Sequence, residues 1–136
     1  MVREIIHDPI FLSRKSVEAT AADVAIANDL VDTLRANLDR CVGMAANMIG
    51  QRKRIIAIAK GPMVVAMLNP KILSKSGEYE TEEGCLSLEG KRKTKRYKSI
   101  RLSWQDAQMK VHIGILDGFQ AQIVQHEVDH CDGILI

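Results

Sequence analysis

No part of the sequence stays apolar for long. The longest apolar runs, Ile55 to Ala59 and Met63 to Leu68, fall far short of the roughly 20 residues that cross a bilayer. The opening segment MVREIIHDPI carries Arg3, Glu4 and Asp8 and lacks the apolar core and small-residue cleavage site of a secretory signal. A cytoplasmic protein with no membrane partner is expected. Cysteine is scarce, and three at wide spacing, Cys41, Cys85 and Cys131, do not describe a disulfide framework. Packing, reactivity or metal binding remain as uses for each thiol. Net charge is also small, +2, too weak to draw nucleic acid through bulk electrostatics. Aromatic residues make up only 4%, and the basic run KRKTKRYK, Lys91 to Lys98, holds a single one. A charge run without a stacking platform fits an exposed strand whose lysines discourage edge pairing better than a nucleic-acid surface, so no specific nucleic-acid partner is expected.

What is present suits one globular domain, residues 1–136, with 46% hydrophobic and 26% charged content. Thr20 opens a helical pattern, with Asp23 as a weaker form of the capping box and Val24, Ala27, Leu30, Val31, Leu34 and Leu38 recurring on one face. The runs RIIAIA and MVVAMLNP, separated by Gly61-Pro62, predict two strands in a hairpin. A polar segment, SKSGEYETEEG, then leads to CLSL. SIRLSW and MKVHIGIL again resemble strands, Asp117-Gly118 marks a turn, and a second helical pattern from Phe119 stops near Gly133, a glycine cap. Helix, strands, then helix in one short chain predicts α+β with a largely antiparallel sheet around the second helix.

That second helix contains His126-Glu127-Val128-Asp129-His130, the pattern H-E-x-x-H. Histidines four apart sit one turn apart on one helical face, so both imidazoles can converge on one ion, while Glu127 projects about 100° away, within reach of a water at that ion. A catalytic site of this kind needs three protein ligands and an open position. Cys85 in EEGCLS is the best third candidate, beside a glycine at the start of an apolar run. Cys131, next to His130 but on another face, fits a small packed hydrophobe, and Cys41 has no partner spacing. His7 and His112 likewise lack partner spacing and are expected at the surface.

CVGMAANMIG, EEGCLS and QHEVDH, in that order, resemble the three motifs of peptide deformylases, usually GxGxAAxQ, EGCLS and HExDH. The likeness runs from HDPI near the start to GILI at the end. It implies removal of the formyl group from N-formylmethionyl nascent chains, releasing formate, with a transient contact with the ribosome. It further implies a divalent ion held by Cys85, His126 and His130, most often Fe2+, with Glu127 as catalytic acid/base and the backbone N–H of Leu86 as an oxyanion donor. The thiolate and imidazoles also suit Zn2+, Ni2+ or Co2+. Three residues follow Gly133, so the C-terminal helix of many deformylases is not expected.

The first motif departs from the pattern. Met48 stands where the family has the glutamine that completes the oxyanion hole, and a thioether donates no hydrogen bond. Asn47 could substitute only if its loop turned it inward, and Gln51 lies further along. The departure keeps open a deformylase-like paralogue that binds metal but acts on another N-acyl peptide or only binds peptides. A structural zinc module is a third reading. For the substrate, the likeness implies Val42 in the methionine pocket and Gly43 with its backbone free to pair with an extended peptide, or else a tight turn. Phe119 and Ile123, on the face of His126, could join that pocket or be ordinary core. Gln122 is polar where the family keeps an apolar residue, and Glu83 and Arg96 match positions that could pair beneath the cysteine loop.

Overall fold

The computed structural model describes residues 1–136. Its five strands lie in sequence order in one antiparallel sheet: β1 (Gly43–Ala45), β2 (Ile55–Lys60), β3 (Met63–Cys85), β4 (Leu88–Gln105) and β5 (Val111–Asp117). A short helix α1 (Pro9–Leu12), the amphipathic α2 (Val24–Ala36) and α3 (Gly118–Cys131) complete the α+β fold expected. No helix is long and apolar enough to cross a membrane.

The run RIIAIA has no polar alternation because both faces of β2 are covered. Ile55 and Ala57 pack with Ala27, Leu30 and Leu34 of α2. Ile56 and Ile58 face the other way, into a second cluster with Ala121, Val124 and Val128 of α3. The sheet therefore lies between the two helices. Leu30, Leu34 and Ile55 are wholly buried, each such side chain contributing about 1.5–3 kcal/mol through apolar burial. The start of α2 follows the expected capping: the Asp23 carboxylate accepts the Thr20 N–H at 2.8 Å. At its far end α3 stops at Cys131, and two residues on Gly133 has φ 76° and lies so near the Ser13 carbonyl that a Cβ would collide with it. Both conformation and space demand glycine there.

Two expectations change in the structure. SKSGEYETEEG does not merely link two strands; it is the second half of the 23-residue strand β3. Its partner is the basic run, with Glu80 opposite Lys95 and Glu82 opposite Lys93, and opposite charges facing each other across a ladder stabilise strands that neither segment's composition favours alone. The same pairing balances the basic run with acid. Strand β5 pairs β4 only from Ser99 to Gln105, so β4 has a strand on one side only along Lys91 to Lys98, in keeping with the edge reading. The second change concerns His112. Its ring stacks on Trp104 at 5.5 Å and its Nε2 lies 2.8 Å from Asp106, so it has partners that fixed sequence spacing did not reveal. His7 is exposed, with Nδ1 2.9 Å from the Ser87 carbonyl.

Candidate active site

Cys85 ends β3, and the chain turns back into β4 at Leu88. This hairpin end meets the middle of α3, where His126 and His130 sit one turn apart. The donor atoms of Cys85, His126 and His130 all lie within 4.8 Å of one another. Cys85 Sγ is 3.3 Å from His130 Nε2, and the two Nε2 atoms are 3.0 Å apart. Cys131 is wholly buried and its thiol is pushed up to about 12 by that burial, as fits a packed hydrophobe.

The chemistry of this donor set fits a cation. Burial pushes His130 down to about 3, leaving a neutral imidazole suited to ligation. Burial also opposes charge on His126, but the Cys85 thiol, Glu127 and Glu83 outweigh it and raise that imidazole to about 10. Positive charge is therefore favoured on His126, where it meets the Cys85 sulfur and the second imidazole, and a divalent ion can replace a proton there. His126 Nδ1 donates to the Glu83 carboxylate at 2.8 Å, which turns its Nε2 toward the other two donors, the orientation that ligating histidines ordinarily receive from a carboxylate.

Glu83 is the hub beneath this arrangement. Arg96 is buried and donates to it through Nε and Nη2, and to Asp129 through Nη1 at 2.7 Å. Burial opposes ionisation of Glu83, but hydrogen bonds from His126, Arg96 and Gln122 overcome it and hold the carboxyl at about 2. A folded-state pKa below the unfolded value contributes stability that is complete above the unfolded pKa and is lost as pH falls through the folded one. Chelator-treated protein is thus expected to lose on the order of 2–3 kcal/mol between about pH 4.5 and pH 2. Glu83→Gln should be less stable near neutrality and converge with the parent toward pH 2. Urea melts at a series of pH values check this, and parallel curves would contradict it.

Glu127 lies beside the donor triad, 4% exposed, with Oε1 lacking any partner. Burial pushes its carboxyl up to about 7, the range in which a carboxyl can both take and return a proton near neutral pH. Gly43 abuts it: a Cβ there would come within 2.8 Å of Glu127 Oε2 and 2.6 Å of Ile123 Cγ2. The glycine is not in a tight turn but at the head of edge strand β1, with no strand on its other side. Val42 O accepts from Ala59 N, so by the alternation of antiparallel pairs Gly43, opposite Ile58, turns its own N–H and C=O to the open edge.

These residues face a cleft of about 830 Å3, whose wall includes Val42, Gly43, Leu86, Phe119 and Ile123. Ile123 is buried, whereas Val42 and Phe119 are exposed at 39% and 63%, which places them at its mouth rather than in the core. Sequence reasoning missed much of the rest. Leu38, Asp39 and Arg40 reach the wall from the end of α2, and Leu88, Gly90 and Lys91 from β4; no motif marks them. Cys41 also lines the cleft, with its thiol pushed up to about 11 chiefly by burial.

Met48 is buried yet lines the cleft. Its Sδ accepts the Ala45 N–H at 3.4 Å. Asn47 does not replace the missing donor: it is wholly buried, and its Nδ2 donates to the carbonyls of His130 at 3.0 Å and Leu12 at 3.5 Å. Gln51 is exposed and lines no part of the cleft. The N-terminal segment braces both sides of the site, with Ile6 N donating to Met48 O and His7 against Ser87 O.

An α+β domain whose H-E-x-x-H helix meets a cysteine and an unpartnered glutamate at the floor of a cleft has the architecture of a small metal-dependent hydrolase. The family model for polypeptide deformylase matches residues 3–136, and the chain belongs to that family, whose members are metal-dependent hydrolases. It is 52% identical to a peptide deformylase of Clostridium beijerinckii over 136 residues, 100% of each chain. It is 37% identical to one of Dictyoglomus thermophilum over 141 residues, covering 100% of this chain and 91% of that one. Among solved structures, a class I type b peptide deformylase from Acinetobacter baumannii with Met-Ala-Ser bound superposes with a TM-score of 0.88 at 28% identity, covering 99% of this chain and 97% of that one.

Proposed function

We propose that residues 1–136 form a single catalytic domain that hydrolyses the N-formyl group of N-formylmethionyl peptides, releasing formate, at a divalent ion held by Cys85, His126 and His130. The observation that carries this reading is the convergence of those three donors beside a buried carboxylate with a free oxygen. When bound, the ion polarises the formyl carbonyl and lowers the pKa of the attacking water. The residues of the chain do the rest. Glu127 takes the proton from the water as it attacks the formyl carbon, then returns it to the leaving amine. The Leu86 N–H, next to the ligand cysteine, donates to the developing oxyanion. Gly43 offers its outward N–H and C=O to the substrate backbone, adding the peptide as a further strand on β1, while Val42, Phe119 and Ile123 receive the methionine side chain. The Met-Ala-Ser peptide in the Acinetobacter baumannii structure supports a substrate of this class.

Ferrous iron is the assignment for the native ion, following the family likeness, with Zn2+, Ni2+ and Co2+ suited to the same donors. The cytoplasm is the compartment that suits nascent formylated chains, and a transient meeting with the ribosome belongs to the same proposal. The glutamates opposite the basic run leave that run little net charge for such a contact.

The test is formate release. Protein purified anaerobically and loaded with iron or nickel is expected to release formate from formyl-Met-Ala-Ser. A chelator should abolish that release, and ion added back should restore it. A protein that holds one equivalent of metal and yields no formate would end this reading in favour of the paralogue.

A further inference from the structure

Beside its apolar contacts with the sheet, helix α3 turns a row of polar side chains toward the far half of the β3–β4 hairpin. Gln125 takes the Tyr97 N–H on Oε1 at 2.9 Å and donates from Nε2 to the Tyr97 carbonyl at 2.8 Å. Asp129 accepts Arg96. Ahead of both along the helix, one turn before His126, stands Gln122. Its Nε2 donates to Glu83 Oε2 at 2.9 Å, and its Oε1 accepts the Tyr79 hydroxyl at 3.3 Å. Glu83 Oε1 in turn takes the Nδ1 proton of His126. A continuous chain of hydrogen bonds therefore runs from Tyr79 through Gln122 and Glu83 to His126.

We propose that Gln122, held by Tyr79, is a positioning residue for the metal centre: it clamps the Glu83 carboxylate so that His126 keeps Nε2 aimed at Cys85 and His130. The proposal rests on His126 being a ligand, as in the preceding section. Without Gln122, Oε2 of Glu83 would keep only Arg96 Nε, at 3.0 Å, while Oε1 already has Nε and Nη2 of Arg96 as well as His126. A donor on the opposite oxygen holds the plane of the carboxylate from both sides, which one guanidinium does less well. Tyr79 settles the amide itself. A carboxylate only accepts, so Nε2 must face Glu83, and a hydroxyl donating to Oε1 favours that orientation over its flip. This accounts for a glutamine on a cleft wall where an apolar side chain would otherwise pack.

The test uses the full chain loaded with zinc or cobalt. Gln122→Leu keeps the bulk and removes both hydrogen bonds; Tyr79→Phe removes only the anchor. Two readouts are followed: the rate of ion release to a chromogenic chelator, and the visible absorption of the cobalt form. Gln122→Leu is expected to release the ion about 10-fold faster, as partners behind a ligand typically cost 10- to 100-fold in affinity. Tyr79→Phe should show a smaller increase in the same direction, and both should shift the cobalt bands while far-ultraviolet circular dichroism stays unchanged. Release within about twofold of the parent in both variants would overturn the proposal. So would a change confined to KM for the formyl peptide, which would make Gln122 a wall of the cleft and nothing more. Where Gln122→Leu does not fold, Tyr79→Phe decides alone by the same criterion. A parent protein that binds no ion would instead bring down the ligand assignment, a separate and recognisable failure.

Discussion

Glu127→Gln is expected to lower formate release by about 100- to 10,000-fold while the protein keeps its full complement of metal, the range that a positioned acid/base contributes. The substitution keeps shape and hydrogen-bonding reach and removes only the ability to take and return a proton. Its site leaves little room for a substitute. Glu127 is buried beside Gly43 and Ile123, and its Oε1 has no partner in the protein, so no neighbouring group already occupies the position a water would take. With its carboxyl pushed up by burial to about 7, the basic form is lost as pH falls, so parent kcat/KM should decline on the acid side. A positive ion beside Glu127 favours its carboxylate and moves that limb to lower pH. In Glu127→Gln the limb should disappear along with the rate. Turnover and metal content measured on the same samples check this. A variant within about tenfold of the parent would assign the proton transfers elsewhere.

Met48→Gln should act in the opposite direction and raise turnover, by up to about 100-fold. Removing a single oxyanion donor typically costs about 100- to 1000-fold, and the parent has no side-chain donor at this position. The structure makes the exchange plausible in detail. Met48 Sδ accepts the Ala45 N–H at the open edge of β1, and glutamine has nearly the same length and volume, so its Oε1 can take over that acceptor role while Nε2 turns toward the cleft. Asn47 cannot compete for the task because its amide is committed to the carbonyls of His130 and Leu12. Single-turnover and steady-state assays with one formyl peptide separate the possibilities. Unchanged turnover in a folded, metal-loaded variant would mean that the ion and the Leu86 N–H already stabilise the oxyanion fully.

The parts of this molecule legible in the sequence are those in which chemistry needs neighbours close along the chain. His126, Glu127 and His130 share one helical turn, Cys85 stands beside Gly84 at the end of a strand, and Thr20 with Asp23 announces a helix start. The amphipathic face of α2 was equally readable, since it imposes its own period; RIIAIA was legible as a strand, but the cover on both its faces comes from helices distant in the chain. What stayed hidden depends on pairing at a distance. SKSGEYETEEG has too much charge to look like a strand until KRKTKRYK lies opposite it. Gln122 looks misplaced on an apolar wall until Tyr79 and Glu83 reach it from another element. His112 lacks a ligand spacing because its neighbours are a stacked indole and a carboxylate. Leu38, Asp39 and Arg40 join the cleft only because α2 ends near its mouth.

The location of the three donors has a consequence for the protein's lifetime. Cys85 closes the long hairpin and the two histidines belong to α3, so an ion held as proposed between them would act as a removable staple across segments far apart in the chain. Ion binding that is confined to the folded state adds to folding stability by mass action. A cell short of metal would then lose more than turnover. Its empty copies would open more often, and proteolysis would couple the abundance of the enzyme to the supply of its ion.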